Sequence, residues 1–187
     1  MSDHFPGQIW IGGKVSRTAR LYPDDPEDTT TILQGLIHAL ASDGASHEYG
    51  DVAISSDCTE SELLEVYLRE TVLHLKDDQA RGGEFSETEQ FCMDNGIAFD
   101  RNSDHYYEYD GENCHWRPGM DSLVKTYGES EGNERADGGT VREALALLDS
   151  DENQEDSPLE KFDKAVLLLR KCCPPLPPEL QNFEIVD

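Results

Sequence analysis

Basic residues are what this sequence most conspicuously has little of. It carries 15 lysines and arginines against 40 aspartates and glutamates in 187 residues, a net charge of −25, and only six of the bases are lysines. A field of that sign repels DNA, RNA and anionic membrane surfaces, and it attracts cations and basic proteins. Long apolar runs are also missing. Nothing approaches the ~18 consecutive apolar residues of a membrane span, and "MSDHFPGQ" has no basic stretch leading into an apolar one, so no secretion signal is expected. The five cysteines (Cys58, Cys92, Cys114, Cys172, Cys173) lack the CxxC spacing of zinc and redox motifs. They are expected as reduced thiols, which places the protein in a cytoplasm.

Catalytic and cofactor signatures are weak as well. The nucleophile pattern G-x-S-x-G occurs once, as "GESEG" (128–132), but in a stretch that reads as a loop rather than as a turn from strand to helix. "IGGKV" fails as a phosphate loop because Gln8 stands where the first glycine belongs and Val15 where the magnesium-binding hydroxyl belongs. The glycine pair reads better as a bend in a strand. Cys58 precedes a helix start, but Asp57 and Glu60 beside it oppose a lowered thiol pKa. His74, within "TVLHLK", reads as a satisfied core histidine. No cofactor is expected, and the chain is expected not to be an enzyme.

What is present is acid everywhere. Residues 51–100 are the densest quarter, with 13 acids against three bases, and no quarter is neutral. Helix starts are legible as Ser or Thr followed three residues later by Glu, where each side chain satisfies the other's free N–H. The pattern occurs at Thr59/Glu62, Ser86/Glu89, Thr140/Glu143 and Ser157/Glu160, the last with Pro158 at the first helical position. It predicts helices near 60–69, 87–95, 141–149 and 158–171. Leu33, Leu36, Ile37 and Leu40 form the apolar stripe of an earlier helix near 30–43, closed by Gly44. "QIWIGGKV", "DVAISS", "TVLHLK" and "IAFDR" read as strands.

These elements predict an α+β (or α/β) fold: one mixed sheet with helices packed on it, a C-terminal helix pair and an extended tail. The expected division is a sheet domain over 1–120, a loop over 121–139, a helical pair over 140–172 packed on the same domain, and a proline-rich tail over 173–187. Phe183, Ile185 and Val186 are expected to dock as an edge strand.

The stretch "DRNSDHYYEYDGENCHWRPG" (100–119) reads as a hairpin near 105–117 turning at Asp110-Gly111. A two-residue turn sets Tyr107 opposite Cys114, and a four-residue loop sets Tyr107 opposite Trp116. Either register sends Tyr107, Tyr109, Cys114 and Trp116 inward. Tyr106, Glu108, His115 and Arg117 then form an outer face open to a partner, since Tyr and Arg favour binding hot spots. A metal is not expected there, because each face offers too few ligands. "DSDENQEDSPLE" (149–160) places Asp149, Asp151, Asn153, Glu155 and Glu160 at the ligand positions of an EF-hand-like loop. Gln154 replaces the turn glycine, so specific calcium binding is not expected.

The leading expectation is a small acidic inhibitory or protein-binding module that engages a basic, nucleic-acid-binding partner, without touching nucleic acid or membrane itself. Its acidity is similar to that of phosphate-mimicking inhibitors of defence or restriction systems, a likeness of charge that covers no motif. The expected contact surface is Glu60, Glu62, Glu65 and Glu70 on one helix, with the outer face of the hairpin. Two alternatives stand beside it. One is a cation-dependent, hydrolase-like enzyme using Asp77, Asp78, His115 or the 149–160 loop. The other is a salt-adapted protein whose acids serve solubility only.

Overall fold

The computed structural model describes residues 3–104, 110–128, 135–149 and 157–187. Along the chain run β1 (Gly7–Ser16), α1 (Ile32–Ser42), α2 (Glu60–Glu62), a π-helical segment (Leu63–Tyr67), β2 (Leu68–Arg69), β3 (Val72–Asp77), α3 (Ser86–Asp94), β4 (Ala98–Ser103), β5 (Glu112–Trp116), β6 (Val124–Tyr127), α4 (Gly138–Asp149), α5 (Pro158–Cys172) and β7 (Phe183–Val186). The fold is α+β. One seven-stranded sheet has the order β2-β3-β1-β4-β5-β6, with β7 added parallel to β1 and the other neighbours antiparallel.

Alternation sorts the two faces of the sheet. Ile9, Ile11, Leu73, Leu75, Phe99, Cys114 and Trp116 point to one side and are buried. They pack with Leu33, Leu36, Ile37 and Leu40 of α1 and with Cys92 of α3 in a single core. The apolar stripe of α1 faces inward as expected, and Thr31 caps it in a reciprocal box with Gln34. The Gly12-Gly13 pair is where β1 changes partners. Residues before it pair with β3 and β4, and residues from Gly13 onward pair with β7. A Cβ at Gly12 would lie 2.2 Å from the Gln181 carbonyl oxygen, and Gly13 has φ +90°. Only glycine admits the C-terminal strand this closely. Phe183, Ile185 and Val186 thus dock in a strand, as expected.

Four local expectations need correction. "DVAISS" is not a strand. Ser46 bridges Lys76 and so occupies the outer edge of β3, while Ile54 alone of the segment is buried and Val52 is 90% exposed. The helix expected over 60–69 ends at Tyr67, and its last turns are π-helical before β2 begins at Leu68. Helix α3 begins at Ser86, but its first amides are capped by Asp43 from the end of α1, at 3.2 Å to Glu87 N and 2.8 Å to Thr88 N. Helix α4 begins at Gly138, and its cap is Asp137, whose carboxylate takes the Thr140 N–H at 2.6 Å.

The register of the hairpin is also different. Cys114 pairs with Arg101 and Trp116 with Phe99, so β5 pairs with β4. A third strand, β6, fixes β5 from the other side. Cys114 and Trp116 do face the core, and Trp116 stacks on Phe99 with ring centroids 6.4 Å apart. Tyr106, Tyr107, Glu108 and Tyr109 lie outside the described residues. Helices α4 and α5 pack chiefly on each other, and no residue of either belongs to the core cluster around the sheet.

Candidate functional site

The segment expected to present carboxylates is short and sharply built. Thr59 caps α2 by accepting from Glu62 N at 3.3 Å. Leu63 and Tyr67 then turn into the core while Glu62 and Glu65 stay exposed. Glu60 is half-buried and pairs with Arg17 at 3.2 Å. Glu70 is not on the helix. It sits in the turn between β2 and β3 with φ +53°, so it extends the acidic surface past the end of the helical row. Cys58 lies beneath this segment. Burial and the neighbouring Glu62 carboxylate push its thiol up to about 11, which keeps it protonated and inert at neutral pH.

The second expected element, the outer side of β5, belongs to a polar face that spans the sheet. Across one row stand His74, Trp10, Asp100 and His115, and across the next Lys76, Gln8, Asn102, Asn113 and Thr126. Trp10 stacks on His74 with centroids 4.7 Å apart. His74 Nε2 lies 3.0 Å from Gln8 Oε1. Burial holds His74 down to about 4, so its ring is neutral at physiological pH. It is a satisfied histidine, but it lies on the polar face rather than in the core.

Asp100 organises the β4–β5 end of this face. It takes His115 Nδ1 at 2.8 Å and Arg117 at 2.7 and 3.1 Å. Burial pushes the Asp100 carboxyl up. The hydrogen bonds from His115 and Arg117, with the guanidinium charge, outweigh that and hold it below the usual aspartate range. Arg117 also donates to the carbonyls of Phe99, Trp116 and Pro178, so it ties the C-terminal tail to the sheet. His115 and Arg117 are therefore bound within the chain. Three buried polar atoms of this face, His115 Nε2, Asn113 Nδ2 and Thr126 Oγ1, make no hydrogen bond.

A further charged cluster, on the core side, was not foreseen. Arg101 is fully buried. Its Nε lies 2.8 Å from Glu89, and its Nη2 bonds Glu112, which Lys125 reaches at 3.1 Å. Lys125 also reaches the more exposed Glu84 at 3.7 Å, so two cations meet three carboxylates, and the pairing of the buried groups makes the cluster structural. Burial raises Glu89, while for Glu112 the Arg101 charge and hydrogen bond overcome burial and lower it. Nothing in "AFDRNS" distinguishes Arg101 from an exposed arginine except the period-2 alternation that places it with Phe99.

The remaining candidates do not converge. Asp77 closes β3 on the core side of the sheet, opposite to His115, and accepts Gln79 N at 2.9 Å. Asp78 follows it outside the strand. Glu160 caps α5 in a reciprocal box with Ser157, and Asp149 ends α4. Asp151, Asn153 and Glu155 lie outside the described residues. Among the described residues no group of three or more His, Cys, Asp or Glu is placed to hold a metal, and no helix is long and apolar enough to cross a membrane.

No family model, curated protein or solved structure matches this chain. Its geometry and charge carry the functional reading alone.

Proposed function

We propose that this chain is a non-catalytic binding module that engages a basic partner protein through its carboxylate surface. A nucleic-acid-binding protein is the partner class whose cationic face such a surface fits best. One observation carries the reading. Seven of the ten bases in residues 3–135 are paired with the chain's own acids, by Lys14, Arg17, Lys76, Arg101, Arg117, Lys125 and Arg135. Glu62, Glu65 and Glu70 remain exposed, and no described residue forms an ion pair with them. The negative field therefore points outward, where it speeds the approach of a cationic surface. The hydrolase-like alternative has no such support, because Asp77 and His115 stand on opposite faces of the sheet.

The test is affinity capture at graded salt, with wild-type protein and a Glu62→Lys/Glu65→Lys variant as baits and circular dichroism as the check on folding. Basic proteins retained at low salt, released at high salt and lost with the variant support the reading. A captured set without basic proteins, or one unchanged by charge reversal, contradicts it and leaves solubility as the role of the acids.

A further inference from the structure

The helical pair contrasts with the acidic body. Helices α4 and α5 together hold five bases and four acids, a net charge of +1 in a chain of −25. The start of α4 (Gly138, Thr140) and the end of α5 (Lys171, Cys172) line one pocket, so the two helices run antiparallel. Their mutual interface is built on Ala144, Lys161 and Ala165, which are buried.

At about 100° per residue, Leu145 and Leu148 stand beside the inner stripe of α4. Leu159, Phe162 and Leu169 stand beside the inner stripe of α5, rotated from it in the same sense along the chain. In an antiparallel pair those two rotations bring the stripes to the same side. The five side chains are 37–70% exposed. They form an apolar face on the order of the few hundred Å² that marks an interaction surface on soluble proteins.

The rim of this face is polarised. By the same angular count, Arg142 and Asp149 lie on the outer edge of α4, and Asp163 and Arg170 on that of α5. Because the helices are antiparallel, Asp149 and Asp163 fall at the connection end and Arg142 and Arg170 at the open end. A copy of the same face, rotated by a two-fold axis perpendicular to the helices, sets each acidic end against the other copy's basic end. The apolar stripes meet between them. A two-fold axis parallel to the helices would set acid on acid.

We propose that this face docks a second copy of the chain, in an antiparallel four-helix arrangement that closes as a two-fold dimer. The self-complementary rim favours a second copy over a strongly cationic or anionic partner, and the near-neutral charge of the pair spares this contact the repulsion felt elsewhere on the surface. Helices of 12 and 15 residues span only about 18 and 22 Å. The interface is accordingly at or below the small end of stable dimers, and the association is weak.

Sedimentation velocity of the full chain from about 1 µM to about 1 mM covers the range in which an interface of this size should titrate. A monomer–dimer transition is expected. Phe162→Glu should raise the dissociation constant at least about tenfold, with helicity by circular dichroism unchanged because the site is exposed. The orientation is read from charge swaps. Asp149→Arg/Asp163→Arg and Arg142→Asp/Arg170→Asp should each weaken self-association, and mixing the two variants should restore a dimer. A chain monomeric at every concentration, open-ended growth instead of closure at two, or a mixture no tighter than either variant alone would overturn the proposal.

Discussion

The sheet body and the helical pair solve opposite problems. In the body, both sides of the core are closed: Ile9, Ile11, Leu73, Leu75 and Phe99 meet Leu36, Leu40 and Cys92, and even the charges beneath the surface are paired around Arg101. The pair buries mainly Ala144, Ala165 and the Lys161 stem, and it leaves leucines in solvent. Among the described residues, the body exposes unpaired carboxylates at Glu62, Glu65 and Glu70, whereas the pair exposes Leu145, Leu148, Leu159, Phe162 and Leu169. A region whose core is complete can present charge without losing its shape. A region of two short helices cannot bury its own apolar residues, because a helix pair has an inside only along one seam.

The largest effect that sharpens this contrast is expected at Arg101. Arg101→Ala leaves Glu89 and Glu112 buried beside an empty cavity and should cost about 3–5 kcal/mol in denaturant unfolding. A loss below ~1 kcal/mol would mean the body tolerates uncompensated charge, and the contrast would fail. Trp116→Ala should cost about 3 kcal/mol, since the ring is buried against Phe99. Asp43→Ala removes the cap of α3 and should cost ~1 kcal/mol. At the other extreme, Leu145→Ala in the helical pair should change the stability of the monomer by under ~0.5 kcal/mol.

A pH dependence follows from the polar face. The folded pKa of His74 is lowered from 6.5 to about 4, so the neutral ring is favoured by folding. Its contribution to stability is present above the unfolded value and is lost as pH falls through the folded one. Denaturation at pH 7 and at pH 4.5 should therefore show a smaller loss in His74→Gln than in the wild type. Equal losses would show that His74 does not carry the effect. Asp100, with a lowered pKa, acts in the same direction over a more acidic window.

Much of this organisation was legible in the chain because it rests on local chemistry. Ser157, Pro158 and Glu160 start α5 where the capping pattern placed it, and the alternation around Cys114 and Trp116 set their side of the sheet. What was illegible depends on partners distant in sequence. Asp43 caps a helix 45 residues away, Ser46 takes the strand edge that "DVAISS" would have filled, and Phe99 takes the place expected for an aromatic of 105–109 opposite Trp116. The acidic surface was half legible. Glu62 and Glu65 are exposed on the segment expected to present them, while Glu70 was assigned to a helix that widens into a π turn and ends before reaching it.

Charge-driven recognition by the body is the central claim, and the salt dependence of association tests it most directly. Stopped-flow or surface-binding measurement of the on-rate for the captured basic partner should show a steep fall between low salt and salt concentrations at which the Debye length shrinks to about 8 Å or less. Glu62→Gln/Glu65→Gln/Glu70→Gln should flatten that slope while leaving the melting temperature of the body unchanged. An on-rate independent of salt in the wild type, or an identical slope in the neutralised variant, would contradict the account.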